Sequence, residues 1–270
     1  MTSPALSVQL YSVREPLAID EAATLTRLAE IGFVAVESFG FVGRAAQLRS
    51  ALDAAGLRST SGHASFLSDQ LEPGAARVEL PPVEHVFDEA ATLGVEILID
   101  PFVAGPFWVE RDEIARTAER LNSLVAPAAE RGIRVGYHNH SHEFHHQIDG
   151  VSALETFAGL LDPRVVLEVD VFWAAIGGAD PVELLTRLGD RVRLLHAKDG
   201  IIGEDPHRPG ATGVQLDQRP AGQGDLDLAG ILAAAPQAEF AVVEFDEYGG
   251  DIFEGIAASA AALGALGVQA

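Results

Sequence analysis

Short apolar segments of six or seven residues recur along the chain, and each is followed by a longer segment whose apolar residues are spaced three and four apart. The short segments are rich in β-branched residues, as buried parallel strands are. The pattern therefore predicts strands that alternate with helices. The eight predicted strands are residues 6–11, 33–38, 57–63, 95–100, 133–139, 165–170, 192–197 and 240–245.

The longer segments carry helix-end signals. In residues 20–32, apolar side chains share one helical face and Gly32 supplies the stop. A second helix is predicted over residues 111–131, and a third over residues 180–188 begins with Asp180 as its cap. Each helix follows a predicted strand, so the repeating unit is a strand and then a helix.

Eight such units in roughly 250 residues are what a closed (β/α)8 barrel requires. A doubly wound open sheet is the competing arrangement, but no GxGxxG motif follows the first strand. No change in composition indicates a linker, so we predict an α/β protein with a single TIM-barrel domain over residues 1–270. Residues 199–224, rich in Gly, Pro and Asp, are expected to form an enlarged loop of that domain.

Polar and ionisable residues lie at the carboxyl end of nearly every predicted strand. Barrel active sites are built at that end, so these side chains are expected to converge on one axis. An acidic cup that contains imidazoles suits a divalent cation. The residues are Gln9, Tyr11, Glu37, His63, Asp100, His138, Asn139, His140, Asp170, His196, Lys198, Glu244 and Asp246.

The segment YHNHSHEFHH, residues 137–146, holds five of the nine histidines of the chain. Successive side chains of a strand point to opposite faces, so His138 and His140 are expected to face the barrel axis together. The three later histidines of the segment are expected to lie in a solvated loop.

The composition of the chain limits the partners and the metal ligands that it could have. The chain is 48% hydrophobic and 21% charged, as globular proteins are, and its formal net charge of −22 would repel nucleic acid and anionic membranes. There is no cysteine, so a metal would be bound by imidazole, carboxylate and water. The N-terminus lacks a basic targeting region, and no apolar run approaches the roughly 18 residues of a membrane span. We expect a cytoplasmic protein.

Taken together, the motifs at the strand ends resemble those of the xylose isomerase-like TIM-barrel superfamily, and within it the sugar phosphate isomerase/epimerase group. The resemblance covers essentially the whole chain, although members of the group differ in reaction. The motifs that carry it are VQLYSVRE, VESFG, YHNHSHEF, LEVDVFW, LLHAKDG, GQGDLDLAGIL and VVEFDEYGG.

The resemblance implies one divalent ion, Mn²⁺ first, with Mg²⁺, Co²⁺ or Zn²⁺ as alternatives. Relatives bind it with Glu, Asp, His and Glu from strands five to eight, and Asp170, His196 and Glu244 match the last three. The first position differs, because strand five ends in His138 and the nearest glutamate is Glu143. Since a hard ion prefers oxygen, we expect Glu143 to reach the metal, with His138 as the alternative ligand.

The resemblance also implies a sugar isomerase or epimerase that acts on a keto sugar or 3-keto-glycoside through an enediolate. His138 is expected as general base and Glu244 as its partner on the other face, with Lys198 stabilising the enolate oxygen or protonating a leaving group. The first alternative is a lyase or dehydratase that eliminates a β-substituent from a 3-keto sugar or keto-inositol with the same metal. A non-catalytic barrel is the second. The expected sugar contacts are Glu37, His63, His140, Trp108 and Trp173.

A small-molecule sugar is therefore the expected partner. The segment GIAASAAALGALG near the C-terminus is rich in small residues. Such a face suits either a homo-oligomer or hetero-complex contact, or packing against the barrel itself.

Overall fold

Eight parallel strands close into a barrel in the computed structural model of the chain, which describes residues 3–68, 70–71 and 78–270. Strands adjacent in the chain are adjacent in the barrel, and the last pairs with the first to close the ring. The predicted TIM barrel is thereby confirmed. The barrel strands are β1 (Ala5–Gln9), β2 (Ala35–Phe39), β3 (Arg58–His63), β4 (Ile97–Asp100), β5 (Arg134–His138), β6 (Val166–Asp170), β7 (Val192–His196) and β8 (Phe240–Val243).

Each strand is followed by at least one helix, and the expected caps are present. Asp180 accepts a hydrogen bond from the backbone N–H of Glu183, and Gly32 ends the helix before it in the left-handed region at φ 115°. Among the described residues, no helix is at once long and apolar enough to cross a membrane. The helices are α1 (Arg14–Ile19), α2 (Glu21–Ile31), α3 (Ala45–Ala55), α4 (Val83–Leu93), α5 (Arg111–Ala129), α6 (Ala153–Leu160), α7 (Val171–Ile176), α8 (Pro181–Leu188), α9 (Leu228–Ala234) and α10 (Ile252–Ala265).

The barrel interior changes from apolar to ionisable in the direction of the strands. Side chains two apart share a face, so β6 presents Val166, Glu168 and Asp170 inward in succession, and β5 presents Gly136 and His138. The layer of ionisable groups therefore rests on a buried apolar plug. The plug consists of Ile97, Ile99, Val166, Leu194 and Val242.

Residues 199–224 do not form a plain loop. Asp199–Ile201 and Asp217–Arg219 pair as a short antiparallel ribbon. The carboxylate of Asp199 accepts a hydrogen bond from the N–H of Gly222 at 2.8 Å and so ties the ribbon to the glycine-rich segment before α9. Two further ribbons pair Gln70–Leu71 with Val78–Glu79 and Gln147–Ile148 with Val151–Ser152.

Candidate active site

Three imidazoles converge on one carboxylate oxygen inside the barrel. Oε2 of Glu168 lies 2.6 Å from Nε2 of His63, 3.0 Å from Nδ1 of His138 and 3.1 Å from Nε2 of His196. We name these four residues the inner cluster. Below it, Oε1 of Glu37 lies 2.7 Å from Nε2 of His196 and 3.1 Å from Nε2 of His63. One ring nitrogen of each of these three histidines therefore already contacts a buried carboxylate.

A second group lies one step closer to the carboxyl ends of the strands. Nδ1 of His196 is 2.6 Å from Oε2 of Glu244 and 3.9 Å from Oδ2 of Asp170. We name Asp170, His196 and Glu244 the outer cluster; one ligand atom from each lies within 4.8 Å of the others. Nε2 of His138 borders it, 3.8 Å from the same oxygen of Asp170.

Both His138 and His196 thus hold one ring nitrogen against an inner carboxylate and turn the other toward Asp170. Metal-binding histidines are commonly oriented in this way, because the carboxylate fixes the tautomer and the ring. In both clusters the ligand atoms lie within 4.8 Å of one another, and the inner one also orients the rings of His138 and His196 toward Asp170.

Lys198 neutralises part of the outer cluster. Its ammonium is buried and lies 2.9 Å from Oδ2 of Asp170, 2.8 Å from Oε2 of Glu244 and 2.7 Å from Oδ2 of Asp246. Burial alone would lower the pKa of this lysine, but the three carboxylates outweigh burial and raise the pKa well above its usual value. Lys198 therefore remains a cation throughout the physiological pH range.

The histidines divide into charged and neutral rings. Burial opposes charge on His63, yet the carboxylates of Glu37 and Glu168 raise its pKa to about 10. The pKa of His196 is raised well above its usual value by the same balance, with Glu244 added. Burial and the neighbouring positive charges instead lower the pKa of His138 well below its usual value. His138 is accordingly the neutral ring beside the outer cluster.

The arrangement fits a divalent cation. Oδ2 of Asp170 is buried and, despite its contact with Lys198, accepts no hydrogen bond of good geometry. Burial raises the pKa of this carboxyl to about 6. A buried polar atom without a hydrogen bond is costly unless a cation or another donor meets it. Two carboxylates and two imidazoles that converge there form a donor set suited to manganese, cobalt or zinc.

Glu143 belongs to neither cluster. The hydroxyl of Tyr137 donates to its Oε1 at 2.7 Å, and the backbone N–H of His140 donates to its Oε2 at 3.0 Å. Tyr137 precedes the inward-facing His138 on β5, so its side chain points to the helix layer and holds Glu143 there. The expectation that Glu143 reaches the metal therefore finds no support in the geometry.

The later histidines of the segment are more ordered than a solvated loop would be. His142 is buried, and its Nε2 lies 2.9 Å from the carbonyl oxygen of Val103. His145 contacts the carboxylate of Asp205 through Nε2 at 2.5 Å, whereas His146 is exposed. The loop expectation holds for His146 alone among these three histidines.

Neither tryptophan stands on the wall of the cavity. Trp108 is fully buried in the helix layer, where it packs on Tyr137 and Phe157 and donates its indole N–H to a backbone carbonyl. Trp173 is 3% exposed and stacks on His207 with ring centroids 4.6 Å apart. The structure therefore does not place these two expected sugar contacts on the cavity wall.

A cavity of about 620 Å³ opens above the clusters at the carboxyl end of the barrel. One part of its wall is ionisable and the other is apolar. The ionisable part consists of His63, His138, His140, Lys198, Glu244 and Asp246. The apolar part includes Tyr11, Phe39, Val42, Leu80, Pro81, Val86 and Phe102.

Two glutamates lie below this cavity. Glu37, an expected sugar contact, is fully buried and accepts a hydrogen bond from the side-chain amide of Gln9 at 2.8 Å. Glu168 is not among the residues predicted at the strand ends, because it lies within β6 and not at its end. Its spacing was the available signal: it lies two residues before Asp170 and so shares the inward face of β6.

A family model described as xylose isomerase-like TIM barrel matches residues 25–263. Two sugar phosphate isomerases/epimerases from Parabacteroides distasonis have similar structures. The first is 26% identical with a TM-score of 0.73, over 97% of this chain and 94% of that one. The second is 23% identical with a TM-score of 0.76, over 96% and 97%.

The structure of IOLI protein, which holds a zinc atom, is 16% identical with a TM-score of 0.71, over 97% of both chains, and shows the fold alone. No curated protein matches the chain significantly.

Proposed function

Because the chain belongs to the xylose isomerase-like TIM-barrel family, we propose that it is a divalent-metal-dependent isomerase or epimerase of a keto sugar or 3-keto-glycoside. The reaction proposed is proton transfer through an enediolate. The observation that carries the proposal is the outer cluster, in which buried carboxylates and imidazoles converge beside a cavity large enough for a small molecule.

We assign Asp170, His196 and Glu244 as metal ligands, with His138 as the fourth ligand in place of Glu143. The support is the 3.8 Å between Nε2 of His138 and Oδ2 of Asp170, and the engagement of Glu143 elsewhere. Mn²⁺ is the proposed ion, with Co²⁺ or Zn²⁺ also matched by the two imidazoles. When bound, the ion would polarise the ketone and stabilise the negative charge of the enediolate.

This assignment moves the general base away from His138. Nδ1 of that ring is held by Glu168, and Nε2 cannot bind a cation and accept a proton at the same time. His140 also lines the cavity. Desolvation and nearby positive charge lower its pKa well below the usual value, so the ring is unprotonated before reaction, and its place on the cavity wall puts it within reach of a bound sugar. We propose His140 as the base.

Lys198 and Glu244 keep fixed charges in this scheme. The raised pKa of Lys198 makes it a stabiliser of a developing oxyanion, because it does not readily give up its proton. Burial would raise the pKa of Glu244, but Lys198 and His196 lower it, so Glu244 remains a carboxylate and suits a ligand better than a proton acceptor.

Deuterium exchange tests the proposal. The Mn²⁺-loaded protein is incubated with 3-ketoglucose in deuterated water and followed by NMR. We expect deuterium at a carbon adjacent to the ketone, loss of this exchange after chelation, and its return with added Mn²⁺. His140→Ala is expected to slow exchange by ~100-fold to 10,000-fold while still binding Mn²⁺, because it removes the base and no ligand.

The products separate the alternatives. A dehydrated sugar, or a free aglycone from a 3-keto-glycoside, would replace the isomerase proposal with the lyase. Absence of both exchange and elimination from every keto sugar and keto-glycoside tried would support a non-catalytic barrel.

A further inference from the structure

The cavity has an apolar half that a bare sugar does not require. Tyr11 and Phe102 are large apolar side chains that remain 39% and 37% exposed. Both line the cavity, together with Phe39 and Val42. A sugar bound at the ionisable end would leave this wall for some other part of the ligand.

The aromatic rings of this wall are held in place. Tyr11 and Phe39 meet edge to face, with centroids 5.3 Å apart and planes at 84°. The guanidinium of Arg14 lies 4.2 Å from the centre of the Tyr11 ring. Phe102 meets His140 edge to face at 5.7 Å, next to the proposed base. Rings fixed in this way bind a flat apolar group at little entropic cost.

The charges of the cavity disfavour a phosphate. Among the described residues of its lining, Lys198 is the one lysine or arginine, and carboxylates already surround it. Nε2 of His63 is likewise engaged by the buried carboxylates of Glu37 and Glu168, at 3.1 Å and 2.6 Å. A phosphate dianion would face Glu244 and Asp246 on the wall, and the described lining residues include no cluster of lysines and arginines that would bind it.

We infer that the substrate is an uncharged sugar derivative that carries an apolar substituent, an aromatic aglycone in the simplest case, which binds against Phe39, Val42 and Phe102. This rests on the proposed function, because the sugar is placed at the outer cluster. The volume of about 620 Å³ fits such a ligand, since cavities of roughly 300–1,000 Å³ hold drug-sized molecules.

Binding of unreactive analogues tests the inference. The probes are methyl β-D-glucoside, phenyl β-D-glucoside and glucose 6-phosphate, titrated calorimetrically into the Mn²⁺-loaded full chain. The two glucosides are acetals locked in the ring form, so their affinities are measured without turnover. We expect the phenyl glucoside to bind ~tenfold more tightly than the methyl glucoside, as one added aromatic contact would give. Glucose 6-phosphate is expected to bind more weakly than either.

Two matched variants test whether Phe102 is responsible for the preference for the phenyl glucoside. Phe102→Ala is expected to reduce the phenyl-to-methyl ratio to about threefold or less, because it removes one ring of the wall. Phe107→Ala is the control: Phe107 is 45% exposed, lies five residues further on and does not line the cavity, so this variant should keep the full ratio.

The inference is overturned if the phenyl glucoside binds no more tightly than the methyl glucoside or does not bind. Tighter binding of glucose 6-phosphate would overturn it as well. Its failure is distinct from that of the proposed function. Deuterium exchange into 3-ketoglucose without a phenyl preference rejects the inference alone, whereas a phenyl preference without exchange into any keto sugar rejects the proposed reaction alone.

Discussion

At the residue scale, His138 and Glu143 show how strand geometry separates two candidate metal ligands. A hard cation prefers oxygen, which favoured Glu143. Yet Glu143 is held in the helix layer by Tyr137, while His138 faces the barrel axis beside Asp170. The alternation of side chains along β5 separates the two candidates, and it could be predicted for His138. The path of the chain after the strand could not.

Glu143 also gives a pH prediction. Burial raises its pKa to about 7, above the ordinary value of 4.5. The folded state therefore binds this proton more tightly than the unfolded state, and that contribution to stability is lost as the pH rises through about 7. Glu143→Gln has no proton to lose. The difference in unfolding free energy, variant minus wild type, should therefore increase by roughly 1–3 kcal/mol from about pH 5 to about pH 8.5.

Urea unfolding of both proteins at the two pH values measures this difference. If the difference in unfolding free energy between the two proteins is the same at both pH values, Glu143 is not protonated in the folded state and the prediction is wrong.

Other side chains show where sequence reasoning ends. The inward position of Glu168 follows from its spacing to Asp170, but its contacts with three imidazoles depend on how strands far apart in sequence are staggered. Trp108 lies after β4 and near the barrel mouth in sequence, so the chain pattern alone did not separate a cavity wall from the buried helix layer where it packs.

At the element scale, the eight strands and their order followed from the apolar pattern, because buried parallel strands and helices with one apolar face leave distinct periods in the sequence. The ribbon between Asp199–Ile201 and Asp217–Arg219 did not, because three-residue strands have no period to detect. Its position depends on distant contacts, such as those of Gln218 with the backbone N–H and side chain of Asp246.

The barrel interior has a tightly packed point on β5. A Cβ added at Gly136 would lie 2.5 Å from Cδ1 of Ile99 and 2.6 Å from the carbonyl oxygen of Val166. The second neighbour is backbone and cannot move aside cheaply. Gly136→Ala should therefore lower the unfolding free energy by ~1–3 kcal/mol.

Gly159→Ala is the matched control in helix α6, where the added Cβ meets nothing within 4 Å. It should cause no loss and gain up to ~1 kcal/mol. Urea unfolding compares the two variants, and a Gly136→Ala protein as stable as wild type would refute the packing of this layer.

At the scale of the whole molecule, the proposed ion joins β5, β6, β7 and the residue after β8, which is half the barrel. A ligand that binds only the folded state stabilises it, so Mn²⁺ should raise the melting temperature in a concentration-dependent way. His196 must release a proton to bind the ion, so this rise should shrink as the pH falls. Thermal scans with and without Mn²⁺ at two pH values measure both effects, and identical melting temperatures would contradict the site.

Equilibrium dialysis against Mn²⁺ tests the metal centre most directly. Wild type and Glu143→Gln are expected to bind one ion per chain with similar affinity, because Glu143 lies outside both clusters. Asp170→Asn and His138→Ala should each lower the affinity for Mn²⁺ by more than about 100-fold. This loss exceeds the one expected when a carboxylate that only supports a metal ligand is removed. Loss of binding in Glu143→Gln together with full binding in His138→Ala would contradict this account.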